Sequence, residues 1–140
     1  MPQPQGHRTL PHTADVIVEA WAPDFATCCA EAVQGLLGLC VDGSTAQPSG
    51  RHAFVVAGAE AEIVLLGVLD EVIFVLDTMP DVPVRANAGK RESGELDMEL
   101  HLASRASVEW IGSTPKAVSR SELTVEESPG RVRCTFLVDV

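Results

Sequence analysis

With 20 acidic against 10 basic residues, this 140-residue chain carries a formal net charge of -10 and shows no basic stripe of the kind that displaces counterions from nucleic-acid phosphates. That balance argues against direct RNA or DNA binding and suits a soluble protein, a cation, or a positively charged protein partner. The length gives one domain with a single sizeable core, and the 46% apolar content is that of a folded chain.

The leader "MPQPQGHR" lacks the apolar stretch of a secretory signal and reads as a disordered tail over residues 1–8, with the domain running over residues 9–140. From Asp15 to Ala22 the residues are apolar on both faces except at Glu19, the pattern of a covered central strand. Asp24 then stands as an N-cap. Phe25, Cys28, Ala32, Leu36 and Cys40 recur at helical spacing, and "DG" at 42–43 opens a turn and loop.

"HAFVVAG" (52–58) is a short strand. The run "EIVLLGVLDEVIFVL" is broken by Asp70 and Glu71 and falls short of the roughly 20 apolar residues of a membrane helix. It reads as a buried helix over 61–76, with Glu62, Asp70 and Asp77 as its wet edge and Pro80 as its stop. Val82 to Ala88 and Leu96 to Leu102 alternate as half-buried strands around the charged turn "GKRESG". A looser stretch holds Trp110. Leu123 and Val125 face the final strand across "ESPG", and Val132, Cys134, Phe136, Val138 and Val140 form that strand's inner face. The expected architecture is α+β: a mostly antiparallel sheet packed by two helices in one compact domain.

Cys28, Cys29, Cys40 and Cys134 include no CxxC pair for zinc or redox work, so all four read as small core residues in a reduced, cytoplasmic protein. Asp15 opens the first strand and Asp139 closes the last. If the two strands are antiparallel neighbours, the carboxylates converge at one sheet edge and need a cation or a proton between them. Oxygen donors there, with Val140 adding main-chain oxygens, suit a hard ion such as calcium or magnesium. On spacing alone, the plainer reading has Asp15 as a turn cap and Asp139 as a solvated strand end. His12 is a ligand, a proton shuttle or a surface histidine. Lys116, one of only two lysines, is a phosphate or partner contact or a solvated flank. No GxSxG, P-loop or GxGxxG motif is present, and Asp42 reads as a turn residue.

The ordered set "HTAD", "GLLGLCVD", "VLLGVLDEVIFVLDT", "PKAVSRSELTVEE" and the terminal "FLVDV" resembles the archease family over nearly the whole chain from about Thr9. That family consists of small acidic α+β proteins that assist RtcB-type RNA ligases in tRNA splicing and RNA repair. The resemblance implies a calcium-type metal site at Asp15, Asp139 and Val140. It implies no catalysis by the chain itself, but promotion of ligase guanylylation and of multiple turnover. The chain departs from the family where Thr114 replaces a common Glu and where Arg120-Ser121 replaces a common Tyr-His pair. Two other readings stand beside it: a metal-dependent phosphoester or nucleotide hydrolase using the same carboxylates, and a passive, chaperone-like binding module.

Overall fold

The computed structural model describes residues 4–11 and 15–140. Its strands are β1 (Gly6–Pro11), β2 (Asp15–Ala22), β3 (Val41–Asp42), β4 (Pro48–Val56), β5 (Val82–Lys90), β6 (Leu96–Ala103), β7 (Glu109–Trp110), β8 (Ala117–Val118), β9 (Thr124–Ser128) and β10 (Arg131–Asp139). The helices are α1 (Phe25–Leu37) and α2 (Ala61–Thr78), and a single 3-10 turn covers Arg105–Ser107. Every strand pairing is antiparallel. The α+β expectation therefore holds, with the sheet divided in three.

In the largest sheet β10 is central. β2 runs along one side of it, and β8 and β9 share the other. β1 covers the outer edge of β2, with Gly6 opposite Trp21 and Pro11 opposite Val16. This changes the expected tail: Gly6, His7 and Arg8 lie in a strand, because β2 offers an unpaired edge and the side chains of β1 find partners beyond it. His7 Nδ1 sits 2.9 Å from Glu31 Oε1 on α1, and Arg8 pairs with Glu19. The second sheet has the order β4-β6-β5, and β3 and β7 form a two-stranded ribbon.

α1 begins where Asp24 Oδ1 accepts the Thr27 N–H at 2.8 Å, and ends at Gly38, whose N–H donates to Gln34 O. The helix thus stops short of Cys40, which stays buried in the following turn. α2 runs two residues past the expected Leu76, with its last main-chain bond from Met79 N to Val75 O. Its exposed edge carries Asp70 and Asp77, as the charge stripe suggests, but also Ile63 and Phe74.

A single core joins both large sheets to both helices. Phe136, Val138 and Cys134 of β10 and Val18, Ala20 and Ala22 of β2 meet Cys28, Ala32, Val33 and Leu36 of α1. All four cysteines are buried and free, as their small-residue reading anticipates. Gly35 is where α1 comes closest to β2: a Cβ there would lie 2.8 Å from Val18 Cγ1. Gly35→Ala should therefore push the helix off the strand. The expected loss is about 1–3 kcal/mol from overpacking, offset by about 1 kcal/mol of helix propensity, and urea unfolding measures it.

One buried charge sits on the outer face of the largest sheet. Glu19 is only 5% exposed and is flanked by Arg8 from β1 and Arg133 from β10. The hydrogen bond from Arg8, with help from Arg133, holds its carboxyl below the usual glutamate range against the opposing effect of burial. A depressed carboxylate contributes stability that is complete above its unfolded-state pKa and fades as pH falls through the folded one. Glu19→Gln should lower stability at neutral pH by about 2 kcal/mol, and the gap from wild type should narrow below about pH 4. Thermal melts across that range decide it; a gap that is constant with pH would assign the loss to packing alone.

Candidate functional site

β2 and β10 pair in register from Val132 opposite Ala22 to Asp139 opposite Asp15. Period-2 alternation sends Val18, Ala20 and Ala22 to the core, with Val16 half-buried on the same face, so Asp15, Ile17, Glu19 and Trp21 share the outer face. On β10 the outer set is Arg133, Thr135, Leu137 and Asp139. Asp15 and Asp139 are thus cross-strand partners on one face at the sheet's end. Directly opposite residues have Cβ atoms about 5 Å apart. The convergence expected of these two residues is what the register gives.

Strand β8 closes the other flank of Asp139. Ala117 lies opposite Asp139 and Val118 opposite Val138. The Lys116 N–H donates to Asp139 O at 2.8 Å, and the Ser119 N–H donates to Leu137 O at 2.9 Å. Lys116 therefore borders the carboxylate pair, with its own side chain exposed. Val140 follows β10, half-buried against the core. His12 lies outside the described residues; β1 ends at Pro11 and β2 opens at Asp15.

Just inside the carboxylate pair runs a half-buried apolar row, Leu10–Ile17–Leu137, one residue from each of β1, β2 and β10. Sequence reading missed this ledge because it depends on the pairing of β1. The available signal, the alternation of Arg8 and Leu10 with His7 and Thr9, is too short to separate a strand from a tail. Thr114 is half-buried just before Lys116, near the edge. Arg120 instead lines a cleft with Glu60, Glu62 and Ile63 at the start of α2. Arg120 thus faces that helix, and Ser121 Oγ lies 3.3 Å from Ser119 Oγ.

Two carboxyl side chains paired across strands form an oxygen-only donor set, a chemistry that suits a hard cation rather than zinc. Calcium takes six to eight oxygens, more than two carboxyl groups can give. Among the described residues no three His, Cys, Asp or Glu side chains gather as a metal-binding group, so the rest of such a shell falls to main-chain oxygens, water or a partner. Burial pushes the Cys40 thiol up to about 11 and raises Cys29 as well, so neither is an activated nucleophile. Asp42 acts as a turn residue, its Oδ1 accepting the Ser44 N–H at 2.9 Å.

The archease protein family profile matches residues 7–140. A Mycobacterium tuberculosis protein described as a probable protein archease is 33% identical over 135 residues, which cover 96% of this chain and 75% of the relative. The chain belongs to the archease family. A Thermoplasma acidophilum archease is 25% identical over 130 residues, covering 93% of this chain and 92% of that one. Two solved structures share the archease fold. A Thermotoga maritima protein, described as an archease and possible chaperone, superposes with a TM-score of 0.68 at 20% identity and covers 100% of this chain and 98% of its own. A Methanobacterium thermoautotrophicum protein solved in solution gives 0.66 at 15% identity, covering 96% of this chain and 99% of its own.

Like charges placed directly opposite each other disfavour the strand pair that carries them. In chelator-treated protein, Asp139→Asn should therefore raise the melting temperature of this archease by about 1–2 °C. A lower melting temperature under those conditions would show that the carboxylate is held by contacts within the chain.

Proposed function

We propose that this archease-family protein is an accessory factor of an RtcB-type RNA ligase, and that its working surface is the β2–β10 edge holding a divalent cation, calcium, at Asp15, Asp139 and the main-chain oxygens of Val140. The observation that carries the proposal is the register: two acidic residues 124 positions apart in sequence stand opposite each other across paired strands. A bound divalent cation supplies concentrated positive charge with room for further oxygen ligands.

The remaining work falls to the chain's own residues. Asp15 and Asp139 present their oxygens on one face, and the Lys116 N–H anchors the main chain beneath Asp139. The apolar row Leu10–Ile17–Leu137 gives a partner a dry ledge beside the charge. A ligase active site that handles RNA phosphates and metal ions is cationic. A small cytoplasmic protein with a net charge of -10 is steered toward such a site rather than toward RNA itself. In this role the protein promotes ligase guanylylation and repeated turnover and does not perform the chemistry. The Thermotoga maritima relative's description as a possible chaperone fits the coarser reading of a protein that acts on another protein.

The test joins binding to function. Calcium should raise the melting temperature of wild type and leave Asp15→Ala and Asp139→Ala unmoved, and each variant's affinity for calcium should fall about tenfold or more. With a purified RtcB-type ligase, GTP and RNA ends, wild type should convert single into multiple turnover while both variants fail. Folded variants that stimulate as well as wild type would overturn the role of the edge. Phosphoester or nucleotide turnover by the protein alone would favour a hydrolase. Stimulation should also weaken as ionic strength rises through the physiological range; if it does not, electrostatic steering is not involved.

A further inference from the structure

The second sheet carries a feature that the accessory role does not use. On its outer face the pairing register sets Arg51 of β4 and Arg85 of β5 on either side of His101 of β6. Paired residues share a face, so three basic side chains stand in one row, the two arginines rooted about 10 Å apart at two strand spacings. Such a row is unfavourable by itself. Glu99, one step along β6, answers part of it: its Oε1 accepts from Arg51 Nη1 at 3.3 Å and lies 3.4 Å from His101 Nε2. Asn87 Nδ2 stands 2.8 Å from that same ring nitrogen. Arg85 is exposed and makes no hydrogen bond or ion pair with any described residue.

The backbone around the row is shaped as well as charged. β4 is irregular between Pro48 and Gly50, and β5 between Pro83 and Arg85, so Ser49 and Val84 are extra residues on the two edge strands, one step apart along β6 on either side of Leu102. Bulges bend an edge strand and re-aim its side chains, and they recur beside binding sites. The segment from Gly43 to Gln47 forms a wall. It is tied to the 3-10 turn where Thr45 Oγ1 donates to Ser107 O and the Gln47 N–H donates to Ser107 Oγ, both at 2.8 Å. It packs so closely that a Cβ on Gly43 would lie 3.2 Å from Val84 Cβ. The resulting open groove has a volume of about 700 Å³ and is lined by Arg51, Arg85 and His101 together with Pro48, Val84 and Leu102. That volume is in the range of small-molecule sites.

We propose that this groove binds a phosphate group, its oxygens clamped between Arg51 and Arg85 above His101. Two guanidinium forks approaching from opposite strands call for an anion with acceptors facing both ways. A tetrahedral phosphate has them, whereas a carboxylate offers one fork edge, which Glu99 already presents to Arg51. The apolar walls can take the body of a phosphorylated organic molecule. The protein's overall negative field repels anions, so binding depends on these local contacts.

Isotope-labelled protein titrated with pyrophosphate, adenosine monophosphate and adenosine, followed by amide and arginine side-chain resonances, tests this. Saturable shifts should centre on Arg51, Arg85 and His101 with one or both phosphates and be absent with adenosine. Arg85→Gln and Arg51→Gln should each weaken binding about tenfold, while Arg131→Gln, exposed on β10, should leave it unchanged. Both arginines are exposed, so the spectrum away from the sheet confirms that the variants fold. Response to pyrophosphate alone marks free polyphosphate as the occupant, and response to the nucleotide marks a phosphorylated organic molecule; either sustains the site. No saturable shift with either phosphate, equal shifts with adenosine, or equal losses in Arg131→Gln and Arg85→Gln would overturn it.

Discussion

The pairing of β2 with β10 is the constraint on which the rest of this archease depends. It joins residues 15–22 to residues 132–139 through eight consecutive partners, and no local propensity demands that pairing. The reason lies on the inner face, where Val18 and Ala20 with Cys134 and Phe136 present one continuous apolar surface to α1. A slip of one residue would turn Phe136 to water and bring Arg133 and Thr135 into the core, so burial selects the register. Asp15 and Asp139 meet as a consequence of a register chosen by hydrophobic residues several positions away.

Around that frame the protein handles charge in three ways. Glu19 is buried and satisfied from both sides by Arg8 and Arg133, an arrangement that ties β1 to the sheet. At the sheet's end Asp15 and Asp139 face each other, and neither makes an ion pair with a described residue, while Lys116 contributes a main-chain N–H beside them. On the other large sheet the imbalance has the opposite sign, with Arg51 and Arg85 about His101 and only Glu99 in partial answer. A compensated cluster holds a fold together. An uncompensated one is a place where something else can bind.

A good deal of this was legible in the chain alone. Helix α1 follows from the Asp24 cap and the spacing of its apolar residues, β2 from a run that is apolar on both faces except at Glu19, and β6 and β10 from alternation that matches their burial closely. The acidic balance and the two terminal aspartates were visible too. Other features were not. Strand β1 is six residues with mixed polarity, and its signal exists only when the edge of β2 is there to receive it. The exposed Ile63 and Phe74 on α2 broke the expectation of a purely acidic wet edge, because a helix shared between two sheets exposes whichever positions neither sheet covers.

The sequence by itself determined which residues turn inward, since period and polarity are local properties that a single strand or helix expresses without help. Tertiary structure alone decided which strands became neighbours, and therefore which charges face each other. The carboxylate pair at Asp15 and Asp139 and the Arg51–His101–Arg85 row are both products of inter-strand register. Register is set by the shared burial of core residues and by bulges at Ser49 and Val84, which act between segments far apart in the chain and leave no mark within either one.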